Sequence, residues 1–315
     1  MSFQLGIDIG GTFTDVVLLD EKNEKLTFGK TLTTYGDPTD GIVNGIQQVL
    51  RDNHVSGKDI RRVLHGTTLV TNAIIERKGA KTGLITTKGF EDVLEIGREL
   101  RYDIYDLNIT MPKPLVPRNL RVGVSERMDK HGNIIHSLNQ SDLAESVQKL
   151  VDQGVEAVAI CYMFGFMNPT HEQETAQYIQ SHFPDIYVSV SSEIMPEIRE
   201  YERTSATAMN AFVQPLTHTY LSRLETRLYE MDIAGVINIM LSSGRLTTLE
   251  GAKHSPIHLL ESGPAGGTMA GVFVGKQTHR KDLFAFDMGG TTAKASLIHN
   301  HEPDITNQFE AGRVK

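Results

Sequence analysis

The stretch Leu5-Gly6-Ile7-Asp8-Ile9-Gly10-Gly11-Thr12-Phe13-Thr14-Asp15 decides the fold, because Phe286-Asp287-Met288-Gly289-Gly290-Thr291-Thr292-Ala293-Lys294 repeats its pattern near the other end of the chain. In each copy an apolar run ends in Asp-x-Gly-Gly-Thr and a second apolar run follows. That pattern predicts two strands joined by a tight glycine turn. The first hairpin is expected from Leu5–Asp8 and Phe13–Leu19. One such turn alone is most simply a hairpin without a ligand. Two in matching strand contexts point to phosphate binding, because adjacent glycines let main-chain amides approach anionic oxygens with no Cβ in the way. Gly10, Gly11, Thr12, Gly289, Gly290, Thr291 and Thr292 are therefore the candidate phosphate ligands. Asp8 and Asp287, each at a strand end beside its turn, are the candidate holders of Mg²⁺, directly or through water.

Outward from the first turn, Asp37-Pro38 reads as an N-cap and first helical position, with Ile42, Val43, Ile46, Val49 and Leu50 recurring on one face. An apolar run to Leu64, a helix from Leu69 to Lys78 and a strand from Thr82 to Thr86 predict a parallel crossover. Pro112, Pro114 and Pro117 predict a surface loop over residues 110 to 120. A second α/β stretch follows, with the helix face Leu143, Val147, Leu150 and Val151, a strand from Val155 to Ile160, a helix near Glu172 to Ile179 and a strand near Ile186 to Val190. Thr204 to Met231 predicts a long helix interrupted by Pro215, followed by a strand from Val236 to Leu241. These elements predict an α/β protein with a first domain over 1–200 and a second over 201–315. The second is expected to be incomplete, since only the strand Ala293 to Ile298 follows Asp287, and an uncovered apolar face then predicts self-association or a partner chain.

The chain has 315 residues, 39% of them hydrophobic and 22% charged, a globular composition. A formal net charge of −8 and the lack of a basic run with interleaved aromatics disfavour a nucleic-acid partner. Cys161 is the single cysteine, which excludes an intramolecular disulfide and a multi-thiolate zinc or iron–sulfur site. A reducing cytoplasm is the expected compartment. The opening residues lack signal-peptide organisation and no long uncharged apolar run follows, so no membrane association is expected.

His65 falls just after a strand, and with Thr67 and Thr68 it is a candidate for substrate contact and catalysis. On the residues alone a core histidine satisfied by a backbone carbonyl is the favoured alternative. Ser262 and Gly263 precede a helix expected from Ala265 to Val274, whose amino end offers unpaired amides to an anion, while its small residues also suit close packing. Glu261 receives no definite role, and Arg98 and Arg101 are expected in solvated or structural ion pairs.

Leu5–Asp15 resembles the opening phosphate motif of the hydantoinase/oxoprolinase family, and the pair of turns is similar to phosphate motifs one and two of the sugar kinase, heat-shock chaperone and actin superfold. His65-Gly66-Thr67-Thr68, Thr71-Asn72-Ala73, Glu95-Ile96-Gly97-Arg98, Arg203-Thr204-Ser205-Ala206, Ser262-Gly263-Pro264-Ala265-Gly266-Gly267 and Phe286–Lys294 carry the same resemblance across nearly the whole chain. Tyr102 stands where the family often has proline, and Arg245 where it often has glycine. The resemblance implies ribonuclease H-like domains, ATP and Mg²⁺ as cofactors, and phosphorylation of a cyclic amide oxygen that drives ring opening. It also implies a second, hydantoinase B-type subunit and a family length well beyond residue 315, with the adenosine seat in that further segment, so that this sequence is expected to be part of a longer protein or of a split gene. A ketone carboxylase subunit, a carbohydrate or small-acid kinase, and a chaperone- or actin-like nucleotide switch remain the alternatives.

Overall fold

The computed structural model describes residues 3–34, 37–98, 105, 107–108, 111–288 and 293–305. Contacts group them into two units. The first holds the residues up to Asn72 together with those from Thr217 onward; the second holds Ala73–Leu216.

The first unit opens with β1 (Phe3–Ile9), β2 (Phe13–Asp20), β3 (Lys25–Leu32), α1 (Pro38–Asp52) and β4 (Ile60–Thr67). Alternation makes β1 a strand buried on one face: Phe3, Leu5, Ile7 and Ile9 are buried, and the residues between them are less so. The expected hairpin forms, with β1 antiparallel to β2 from Phe3↔Asp20 to Ile9↔Thr14. Helix α1 starts as Asp37-Pro38 predicts. The Asp37 carboxylate accepts from the Thr39 amide at 2.9 Å and from its hydroxyl at 2.7 Å, while Ile42, Ile46, Val49 and Leu50 are buried. Asp37→Ala should therefore lower stability by about 1 kcal/mol, measured by urea unfolding; an unchanged midpoint would mean that the cap contributes nothing.

After α2 (Leu69–Ile75) the second unit carries β5 (Thr82–Thr87), α3 (Val93–Ile96), β6 (Arg121–Val124), a small hairpin of β7 (Arg127–Met128) and β8 (Ile134–His136), α4 (Gln140–Asp152), β9 (Ala157–Cys161), α5 (Thr170–His182), β10 (Tyr187–Val190) and α6 (Ser191–Ile194). Strands β10-β9-β5-β6 form a parallel sheet. Every residue of β5 and β9 is buried, as expected for parallel strands covered on both faces. Leu84, Ile85, Leu143, Val147, Leu150, Ile160 and Ile179 lie in their common core. Met111–Pro117 is irregular, as the prolines predict, and Arg118–Leu120 adds one short 3-10 turn.

Helix α7 (Glu200–Glu230) carries Pro215 inside it and runs from the second unit's residues into the first's. The first unit then adds β11 (Val236–Met240), β12 (Leu246–Thr248), α8 (Leu249–His254), α9 (Ser262–Thr278), β13 (Leu283–Met288), β14 (Ala293–His299) and β15 (Glu302–Pro303). Its main sheet has the order β12-β11-β4-β1-β2-β3. Strands β3, β2 and β1 are antiparallel, while β1, β4 and β11 are parallel, which is the ribonuclease H-like arrangement.

This topology corrects the predicted crossover. Strands β4 and β5 belong to different sheets, and the parallel neighbour of β4 on the side away from β1 is β11, which follows only after the whole second unit. The grouping is accordingly not a consecutive split at residue 200: residues 73–216 interrupt a sheet that the chain later completes.

Strands β13-β14-β15 form a separate small sheet, one strand more than expected. Aligning Asp287 with Asp8 places Phe284, Phe286 and Met288 where the first copy has Leu5, Ile7 and Ile9. The former are 62, 61 and 72% exposed; the latter are buried. The uncovered apolar face expected from the sequence is present among the described residues. None of their helices is long and apolar enough to cross a membrane.

Candidate functional site

Strands β1 and β4 run parallel and end together, with Asp8 beside Gly66 and Ile9 beside Thr67. Loops at the carboxyl ends of parallel strands are the usual place for a ligand in an open α/β sheet. Here the loops are Gly10–Thr12 and Gly66–Thr68. The first is a closed turn: the Gly10 amide donates to the Phe13 carbonyl at 2.9 Å, and Thr33 holds it from β3's end by donating its hydroxyl to the Gly10 carbonyl at 2.9 Å and its amide to the Thr12 carbonyl at 3.0 Å. Among the described residues the amides of Gly11 and Thr12 have no acceptor. A fixed turn with two free N–H groups is an anion-binding arrangement.

Asp8 stands beside this turn. A Cβ added at Gly66 would come within 3.2 Å of its Oδ1, and one added at Gly263 within 3.4 Å. Two glycines, from β4's end and α9's start, thus leave open space around one carboxylate oxygen. Asp8 reaches solvent, but the surrounding protein removes part of its hydration. That loss, followed by repulsion from Asp15 and Asp287, raises its pKa; Lys30 and Lys294 oppose the shift without cancelling it. Asp287, at the end of β13, lies near enough for its charge to act on Asp8.

The second hairpin repeats the first in register. Asp287 opposes Lys294 and Met288 opposes Ala293, as Asp8 opposes Asp15 and Ile9 opposes Thr14. Gly289, Gly290, Thr291 and Thr292, the remaining predicted phosphate ligands, lie outside the described residues.

Helix α9 begins at Ser262, three residues before its predicted start, with Glu261 at the N-cap. Ser262 is fully buried; its hydroxyl donates to the Thr67 carbonyl at 2.9 Å and accepts from the Thr67 amide at 3.3 Å. Thr67 is buried too, and its hydroxyl accepts from the Leu69 amide at 3.1 Å. Ser262 and Thr67, both predicted as substrate contacts, fasten α9 to β4 and thereby set Gly263 against Asp8. Thr68 is half-buried: its amide and hydroxyl donate to the Ile9 carbonyl at 3.2 and 3.3 Å.

His65 takes the second of its two sequence readings. It is buried, its Nδ1 lies 3.3 Å from the Ile7 carbonyl and its Nε2 lies 2.7 Å from the Tyr220 hydroxyl. The assignment that satisfies all three groups has Nδ1–H donating to Ile7 and Nε2 accepting from Tyr220. Burial lowers its pKa to about 4, against the smaller opposing effect of the Ile7 carbonyl. With both nitrogens occupied, His65 joins β4 to β1 and α7 and has no free nitrogen to offer a substrate.

Sequence reasoning missed Asp15, Lys294 and Tyr220. The first two had a signal, since each lies seven positions after its aspartate. Tyr220, 155 positions from His65, had none. Arg98 is ion-paired with Glu202, as expected, beside an open cavity of about 510 Å³ in the second unit lined by Phe90, Ile96, Arg199 and Tyr201.

The fit of Mg²⁺ and a polyphosphate can be tested on these residues. No group of three or more His, Cys, Asp or Glu able to hold a metal occurs among the described residues. Mg²⁺ is usually held by one or two carboxylates with phosphate and water completing the shell. Asp8, crowded by like charge and with two glycines leaving room at its Oδ1, fits that mode.

Residues 4–183 match the family model for the hydantoinase/oxoprolinase N-terminal region, and residues 203–315 match that for hydantoinase/oxoprolinase. An uncharacterised protein of Methanocaldococcus jannaschii is 39% identical over 99% of this chain and 46% of its own length. Caprolactamase subunit alpha of Pseudomonas jessenii is 33% identical over 94% of this chain and 43% of its own. Among solved structures, a nucleotide-free acetone carboxylase superposes with a TM-score of 0.87 at 26% identity, covering 99% of this chain and 46% of the other. The ATP-dependent caprolactamase of Pseudomonas jessenii superposes with 0.84 at 32%, covering 93% and 43%. The chain thus spans less than half the length of these relatives.

Proposed function

We propose that this chain, which belongs to the hydantoinase/oxoprolinase family, is the phosphate-gripping part of an ATP-dependent enzyme that opens a cyclic amide. The observation that carries this reading is the Asp8 carboxylate beside two free amides, within the electrostatic reach of Asp287. Relatives named caprolactamase and 5-oxoprolinase support the amide substrate, and the solved caprolactamase, an ATP-dependent enzyme, supports the nucleotide.

In this reading Asp8 and Asp287 hold Mg²⁺, while the Gly11 and Thr12 amides and Gly289, Gly290, Thr291 and Thr292 bind phosphate oxygens. Resonance makes a lactam carbonyl a poor electrophile. Bound Mg-ATP supplies a phosphoryl group that turns the lactam oxygen into a leaving group. Thr33 keeps the turn closed, and the Ser262–Thr67 fastening sets Gly263, which has no side chain, against Asp8. His65 is a positioning residue. The relatives named as alpha, beta and gamma subunits support a separately encoded partner of the hydantoinase B type.

A second reading, a ketone carboxylase subunit, is favoured by the likeness to acetone carboxylase. Phosphate release by the full-length gene product with its neighbouring subunit separates the two. Release stimulated by lactams or hydantoins supports the amide reading. Release that needs a ketone and bicarbonate replaces it with the carboxylase, and release indifferent to every cyclic amide and ketone rejects both.

A further inference from the structure

Lys294 occupies the register position in the second hairpin that Asp15 occupies in the first, and each is held by an ion pair, with the signs exchanged. Asp15 opposes Asp8 and is held by Lys30 at 2.8 Å; Lys294 opposes Asp287 and is held by Glu261. The Lys294 side chain is 28% exposed and that of Glu261 23%, so the pair is largely withdrawn from water. Lys294 opposes Asp287 in the ladder, and its charge, like that of Lys30, acts on the Asp8 carboxylate.

Local structure gives no reason for glutamate at position 261. The residue has φ +59°, in the left-handed region that glycine and asparagine tolerate and a longer side chain resists. It is the N-cap of α9, where Ser, Thr, Asp or Asn would cap the helix, yet its side chain makes no capping hydrogen bond. Its amide is pinned by the Thr71 hydroxyl at 3.1 Å, which fixes the backbone and leaves the carboxylate aimed at Lys294. Strained backbone in a binding site is commonly retained for the group it presents.

Charge decides what the pair is for. Asp8, Asp15, Asp287 and Glu261 set four carboxylates against the two ammonium groups of Lys30 and Lys294. A polyphosphate entering this surplus of negative charge needs Mg²⁺ and at least one released cation. Lys30 is held by Asp15 across the strands of the first hairpin, whereas Lys294, opposite Asp287, is held by the residue two positions before Gly263, whose backbone lies against Asp8.

We propose that Lys294 is the cation that meets the polyphosphate, and that Glu261 holds it in reserve when phosphate is absent. Phosphate oxygens then compete with the Glu261 carboxylate for the Lys294 ammonium, and binding exchanges one ion pair for another. This inference rests on the phosphate reading of the site.

The test is calorimetric titration of the chain with Mg²⁺ and tripolyphosphate, in the wild type and in Lys294→Met, Lys294→Arg and Glu261→Gln, each confirmed folded by circular dichroism. Lys294→Met should weaken binding about tenfold or more, the loss of one charge-assisted contact. Lys294→Arg should restore most of it. Glu261→Gln should tighten binding several-fold, because the competitor for Lys294 is gone. A pair that merely braces the fold would shift both partners' variants in the same direction, and that result overturns the inference. Wild-type binding unaffected by Lys294→Met also overturns it while leaving the phosphate reading intact. No Mg²⁺-dependent binding by the wild type removes both.

Discussion

Asp8→Asn is expected to abolish Mg²⁺-dependent polyphosphate binding and nucleotide turnover while raising the melting temperature of the unliganded chain at neutral pH. The two effects share one cause. The Asp8 carboxylate is partly dehydrated by the surrounding protein and repelled by Asp15 and Asp287, so its folded pKa lies above the unfolded value of 3.8. The folded chain then binds more protons than the unfolded chain between those two values, and stability falls as pH rises through that window. At neutral pH the ionised Asp8 is a net burden on the unliganded fold, and an isosteric amide removes it. The same charge is what a cation would neutralise, so the substitution removes its anchor. Asp287→Asn should impair binding likewise. Thermal unfolding and titration calorimetry on the same samples check both arms. A variant that still binds Mg²⁺ and polyphosphate as the wild type does would place the cation elsewhere, and a lowered melting temperature would mean that Asp8 has stabilising partners.

Acidification should produce the second large effect, through His65. Its folded pKa of about 4 lies below the unfolded value of 6.5. The unfolded chain therefore takes up a proton that the folded chain refuses. The stability present above pH 6.5 is lost progressively as pH falls toward 4, by on the order of 3 kcal/mol from this group alone. Tyr220, its hydroxyl partner, is pushed upward by burial and does not titrate in this range. His65→Gln should flatten the stability profile between pH 6.5 and 4. His65→Ala should destabilise at every pH by several kcal/mol, since it leaves a cavity and removes one hydrogen-bond partner each from the Tyr220 hydroxyl and the Ile7 carbonyl. Imidazole ¹⁵N shifts measured against pH give the protonation state directly. A His65 that is protonated at pH 6 would contradict its place in the core and return it to the candidates for acid–base chemistry.

Asp8 and His65 sit on opposite sides of what could be read in advance. Asp8 declares itself in the sequence because its meaning is local: an alternating apolar strand, two glycines and a second strand leave few conformations open to the residues between. Asp37-Pro38 is legible for the same reason, since a cap needs only its own first turn. His65 lies in an equally visible motif, yet its role is decided by Tyr220, 155 positions away.

From its residues alone the chain's α/β character and its duplicated aspartate-glycine hairpins were determined, because period-two burial and turn chemistry act over a few neighbouring residues. Tertiary structure alone decided that β4 pairs with β11 across an entire inserted unit, that Ser262 and Thr67 fasten two elements together, and that Lys294 meets Glu261. Strand partners and the satisfaction of buried polar groups are chosen by whichever distant segment fills the space, and no local pattern encodes that choice.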